Sequence, residues 1–304
     1  VARDPVGPDP VVRVRRDGSI MGWLEAEGGG SVTEETSPRG AGADGGPGAR
    51  PEGRWRTRGR IPFALWLCIL VIYPVASLLF RLRYRHLERI PVRGPVLLVV
   101  NHVSVLDPLA CARLVFDRGR IPHFLAKEAV FKGLAGTILR AAGQIPVARY
   151  SSAARGSLDA ARADLQAGGI VVIYPEGSVT RDPAWWPMKA RTGAAHLALT
   201  SDAVVVPVAQ WGPQRVHDYH TKKLHLRLRV PADHLVGEPI DLSALRAEVR
   251  AGRPLDTPLL RETTDLMMTR VRHQLAELRG EPAPAAVHPG PGRPRPDGVA
   301  GSAA

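Results

Sequence analysis

The stretch Asn101-His102-Val103-Ser104-Val105-Leu106-Asp107-Pro108 follows directly on the apolar run Val96–Val100. A neutral imidazole can take a proton from a hydroxyl near neutral pH, provided a carboxylate on its other nitrogen fixes the tautomer and stabilises the imidazolium. Asp107 lies five residues after His102 and can fold back onto it, so the two are a candidate general base and its orienting partner. The plainer reading makes Asp107 the cap of a helix opened by Pro108, with His102 an ordinary loop histidine.

A second apolar run, Ile170 to Tyr174, breaks into Pro175-Glu176-Gly177-Ser178-Val179-Thr180-Arg181-Asp182. Pro175 ends a strand, and Gly177 allows backbone to approach a ligand closely. Glu176 can hydrogen-bond substrate hydroxyls, and the fork of donors on Arg181 suits a phosphate. The alternative is an ordinary turn with a solvated carboxylate. Arg149 closes the short run Gly143-Gln144-Ile145-Pro146-Val147-Ala148-Arg149 and by itself is only a loop cation. Pro207 in Val204–Val208 calls for a break in the ladder or an edge position. His217-Asp218 offers two metal-ligand types with no partner histidines at a recognisable spacing, so no metal is assigned.

These loops need elements to hold them. Strands are expected at Val96–Val100, Pro122–Ala126, Gln144–Val147, Ile170–Tyr174, Val204–Val208 and Leu224–Val230. Helices are expected at Pro108–Asp117, Val130–Ala142, Ser151–Ala167, Gly193–Ser201, Leu242–Arg250 and Pro258–Arg279. Apolar runs alternating with helices predict an α/β architecture, with ligands beyond the carboxyl edge of the sheet.

Ahead of this pattern, Ile61 to Phe80 runs for twenty residues without a charge, between arginines on both sides. That is the length a helix needs to cross about 30 Å of hydrocarbon, and a membrane-spanning or interfacial helix is expected over 61–80. Trp185 and Trp186 are candidates for the side that faces the bilayer, a core position for one of them being the alternative. Residues 1–60 and 280–304 are rich in Gly and Pro with no sustained apolar period, and read as a disordered extension and a disordered tail. One domain over 81–279 remains.

Composition narrows the partners. A net charge of +12, from 41 Lys+Arg against 29 Asp+Glu, points to anionic partners, while 5% aromatics without stacking runs argues against nucleic acid. Two cysteines outside any metal-binding spacing fit a reducing, cytoplasmic setting for the catalytic part.

Taken in order, N-H-x-x-x-x-D at 101–107, G-x-I-P-V-x-R at 143–149, the hydrophobic-P-E-G block at 171–177 and V-P-V at 206–208 resemble the glycerolipid acyltransferase family. Its best-known members are the bacterial 1-acylglycerol-3-phosphate acyltransferases. The resemblance covers about residues 80–225. It implies a single α/β domain with a mixed sheet flanked by helices, preceded by a hydrophobic membrane helix. It also implies transfer of a fatty acyl group from acyl-CoA or acyl carrier protein to a lysophospholipid hydroxyl, lysophosphatidic acid above all. His102 would be the base, Asp107 its partner, Arg149 the phosphate ligand, and Glu176 and Gly177 holders of the glycerol part, while Pro207 would shape the pocket. No cofactor is implied beyond the acyl donor, and the expected place is the cell membrane with the catalytic domain on its cytoplasmic side. The third block departs from the family's P-E-G-T-R-S, which moves Arg181 two residues later, and Arg191, with Lys189 beside it, matches a basic residue before T-G.

Overall fold

The computed structural model describes residues 63–147 and 154–290. Along the chain run α1 (Phe63–Leu79), β1 (Phe80–Arg85), β2 (Val96–Val100), α2 (Asp107–Asp117), β3 (Pro122–Lys127), α3 (Gly133–Ala141), β4 (Ile145–Val147), α4 (Ala154–Gln166), β5 (Ile170–Ile173), α5 (Gly193–Thr200), β6 (Val204–Trp211), β7 (Val230–Val236), α6 (Ser243–Arg250) and α7 (Thr257–Arg279). The strands form one sheet in the order β1-β7-β6-β2-β5-β3-β4. All neighbours are parallel except β6 and β7, so the expected mixed α/β sheet is present.

The sheet is buried on both faces, which is why β2 and β5 read as unbroken apolar runs. Leu97 and Val99 point to a core closed by α4, α5 and α7 through Leu165, Ala194, Met267 and Val271. Val96, Leu98 and Val100 point the other way, onto Cys111, Leu114 and Val115 of α2. Since β2, β5 and β6 are parallel, the loops after them all emerge at one edge. That edge carries the first and third motif blocks, while the fourth lies within β6 itself.

Four expectations are corrected. The hydrophobic helix exists, but α1 has 17 residues, about 26 Å at the α-helical rise, and the chain turns into β1 at Phe80. Among the described residues no helix is long and apolar enough to cross a membrane. One side of α1 is tied to α2, with the Tyr73 hydroxyl donating to Asp117 Oδ1 at 2.7 Å and the Arg113 guanidinium 3.6 Å from the Tyr73 ring.

Leu224–Val230 is not a strand; the strand begins where that stretch ends, as β7, and pairs with an unexpected β1. Alternating leucines and cations imitate a half-buried strand, but no sheet receives them. Pro207 is neither at an edge nor against the site. It sits in central β6 opposite Val99, one residue before the β6–β7 ladder begins at Val208, so its missing N–H costs that ladder nothing. The tail is also partly ordered: up to Gly290 it lies along the loop after β5, where the Lys189 N–H donates to the His288 carbonyl at 2.8 Å. Residues 1–60 and 291–304 lie outside the described residues.

Candidate active site

The sharp turn between β2 and α2 folds Asp107 back onto His102. His102 Nδ1 is 2.8 Å from Asp107 Oδ2, and the same oxygen accepts the N–H groups of Val103 at 2.6 Å and Ser104 at 2.8 Å. Asp107 is the first residue of α2, and its carboxylate turns back onto the amides ahead of the helix and onto the histidine, so it orients the histidine and does not cap the helix. Its side chain is wholly inaccessible while that of His102 keeps 13% exposure, so the dyad has a buried half and an open half. Burial pushes the Asp107 carboxyl up from its ordinary value, against the His102 ring and the two amides that favour its charged form. With Nδ1 engaged, Nε2 is the ring nitrogen left for chemistry. The imidazole is stacked on Tyr174 at 4.3 Å between centroids, which fixes its plane.

Glu176 does something the sequence did not suggest. Its Oε1 accepts the His102 N–H at 2.8 Å and its Oε2 the Met188 N–H at 3.0 Å. The side chain is buried, and burial pushes its carboxyl up to about 8, the two amides working the other way. Both oxygens are occupied by the protein's own backbone, so the arrangement gives Glu176 a bracing position, not the expected place on substrate hydroxyls. The Thr180 N–H, donating to the His102 carbonyl at 2.8 Å, completes the tie between the first and third blocks. Behind them, Asn101 and Gln210 exchange three hydrogen bonds of 2.7–3.0 Å that lock the end of β2 to β6. The amides of His102, Val103 and Ser104 are all consumed in this network and leave none for an oxyanion.

His102 opens into a cleft of about 1910 Å³. On the side of α1 and α2 it is lined by Ile72, Val105, Leu106, Leu109 and Phe116, with Phe124 of β3. The same lining includes the cations Lys127, Lys189, Arg191 and Arg261. The cleft into which the imidazole opens thus offers both apolar side chains and cations. Gly177 also lines the cleft at φ +74°, and a Cβ built there would meet Arg191 Nε at 2.6 Å, so this glycine leaves room for the arginine. Of the expected ligands, Arg191 is in the cleft wall, Arg181 is exposed outside the lining, and Arg149 lies outside the described residues.

Two other features resolve differently. Trp186 is buried under Arg279, whose guanidinium is 4.3 Å from its ring, so it belongs to the core and not to a bilayer face. Trp185 stacks on His220 at 3.9 Å. Asp218 caps its own turn, accepting N–H groups of His220 at 2.8 Å and Thr221 at 3.1 Å. Sequence reasoning missed Tyr174, Lys127 and Arg261. Tyr174 adjoins the third block and was within reach of inspection; the two cations come from β3 and α7 and carried no local signal.

A family model described as acyltransferase matches residues 81–211. No curated protein matches the sequence significantly. Among solved structures, the chain is similar to the 1-acyl-sn-glycerophosphate (LPA) acyltransferase PlsC from Thermotoga maritima, with 19% identity, a TM-score of 0.47, and coverage of 74% of this chain and 80% of that one.

Proposed function

We propose that this chain, whose residues 81–211 match an acyltransferase family model, is a glycerolipid acyltransferase that moves a fatty acyl group from acyl-CoA or acyl carrier protein to the free hydroxyl of lysophosphatidic acid, giving phosphatidic acid. The observation that carries this reading is the His102–Asp107 dyad at a cleft lined by both apolar side chains and cations.

The acceptor hydroxyl donates to His102 Nε2, which takes its proton as the oxygen attacks the thioester carbonyl. The proton moves to the ring nitrogen opposite Asp107, whose carboxylate stabilises the imidazolium. The tetrahedral intermediate collapses, the carbon–sulfur bond breaks, and the thiolate takes the proton back from His102. The apolar side chains of the lining suit an acyl chain, and Lys189, Arg191 and Arg261 suit the acceptor's phosphate. No cofactor enters these steps. The substrates place the work at the cell membrane, with the catalytic domain on the cytoplasmic side.

Two other readings are another lysolipid or polar-lipid acceptor, and a silent protein that only binds anionic lipid. Purified protein is assayed with labelled acyl-CoA and acyl carrier protein against lysophosphatidic acid, other lysolipids and glycerol 3-phosphate. Transfer to lysophosphatidic acid is expected, falling about 10²–10⁴-fold in His102→Ala with lipid binding kept. Transfer only to another acceptor removes the lysophosphatidic acid assignment, and full activity in His102→Ala removes the base.

A further inference from the structure

Beyond the family match, which ends at Trp211, residues 222–229 read Lys-Lys-Leu-His-Leu-Arg-Leu-Arg. We propose that this segment is a lipid-contact edge that seats the protein on an anionic bilayer. Its leucines would enter the acyl boundary and its cations would meet headgroup phosphates. The inference does not depend on the chemistry at His102.

The three leucines are solvent-exposed to an unusual degree, Leu224 at 57%, Leu226 at 80% and Leu228 at 61%. Their backbone is nonetheless held. A bridge joins His217 to Leu224, the His225 N–H donates to the Val216 carbonyl at 2.7 Å, and the Arg229 N–H to the Leu78 carbonyl at 2.9 Å. A fixed backbone that projects apolar side chains into water is a surface awaiting an apolar phase.

The last of those bonds also joins the edge to α1. There Val71, Val75 and Leu78, at helical spacing on one stripe, are exposed as well. On its other flank the hairpin is tied to the His102 loop, where Ser104 Oγ donates to the His217 carbonyl at 3.0 Å and Val105 is exposed at the cleft. The apolar surface thus runs beside the opening of the cleft.

Charge selects the occupant. From Tyr219 to Ala232 there is no acidic residue, and among the described residues Lys223, Arg227 and Arg229 are in no ion pair. The centre of a protein–protein interface sheds charge. A second copy of this chain would set these cations against themselves. Leucines interleaved with cations whose long stems can snorkel match the bilayer interface, where acyl chains and anionic headgroups meet.

The test uses the full chain with Cys68→Ser and an environment-sensitive fluorophore on Leu226→Cys, Leu224→Cys serving as a second probe site. Cys111 is buried, with its thiol pushed up to about 12, and will not label. Vesicles of phosphatidylcholine with phosphatidylglycerol should shift the emission to the blue, phosphatidylcholine alone much less, and a probe on exposed Arg250→Cys not at all. Lys223→Gln with Arg227→Gln should weaken partition about 25-fold, at about fivefold per charge. An unshifted probe at 224 and 226, whether the protein sediments with the vesicles or stays free, overturns the proposal. A blue shift produced without lipid, by an acidic carrier protein or by raising protein concentration, overturns it in favour of a protein partner. Acyl transfer is not read, so failure here leaves the proposed reaction untouched.

Discussion

Glu176 accepts the backbone N–H of His102 at 2.8 Å although the two residues are 74 positions apart. Its second oxygen holds Met188, so one buried carboxyl fixes the loop that presents the imidazole and the loop that leads to Lys189 and Arg191. The backbone of the dyad is thus clamped from outside its own motif.

Glu176→Gln tests the clamp. A carboxamide offers one oxygen and one NH2, so one of the two buried amides loses its acceptor, at a cost of about 1–3 kcal/mol. The pH dependence is distinctive. The Glu176 carboxyl is raised to about 8 from 4.5, so between those values the native state holds a proton that the unfolded chain has released. Stability is therefore lost as pH rises across that window, and the loss is complete above about 8. Thermal midpoints of wild type should fall relative to Glu176→Gln from about pH 5 to about pH 8. Parallel curves for the two proteins would refute the assigned titration.

Asp107→Asn keeps an oxygen for the Val103 and Ser104 amides and removes the charge that favours the imidazolium. We expect kcat to drop about 10²–10⁴-fold with little change in KM. Steady-state kinetics on the acyl acceptor, with circular dichroism to confirm the fold, checks this. A variant within threefold of wild type would mean that Asp107 serves only to hold the turn at Val103 and Ser104.

Gly177→Ala places a methyl group against Arg191 in a left-handed backbone conformation. The backbone strain is about 1–2 kcal/mol, and the arginine, being flexible, swings away. KM for the anionic acceptor should rise several-fold more than kcat falls. In a double-mutant cycle with Arg191→Ala the two effects should be non-additive. Additive effects would place the glycine's role in the loop alone.

The apolar runs that became β2 and β5, the spans of α2, α5 and α7, and the His102–Asp107 pair were all legible in the sequence. Each is a short-range property, a run, a period or a five-residue return, and local backbone geometry turns it directly into structure. α1 was half legible: its apolar run showed a helix, but its length depended on where β7 recruits Phe80 into the sheet.

Other features rest on partners far along the chain. Glu176 and Pro207 looked like substrate-side residues because a motif names positions but not what faces them. Only the packed sheet turned Glu176 onto two backbone amides and set Pro207 one residue before an antiparallel ladder. Leu224–Arg229 carries the alternation of a strand, and whether such a pattern is buried or displayed depends on whether a neighbouring strand is there to take it. The sequence by itself determined the dyad, the motif order and the apolar runs of β2 and β5, because those depend on neighbours in the chain. Tertiary structure alone decided the brace on His102, the mixed lining of the cleft and the exposed leucine edge, because those depend on neighbours in space.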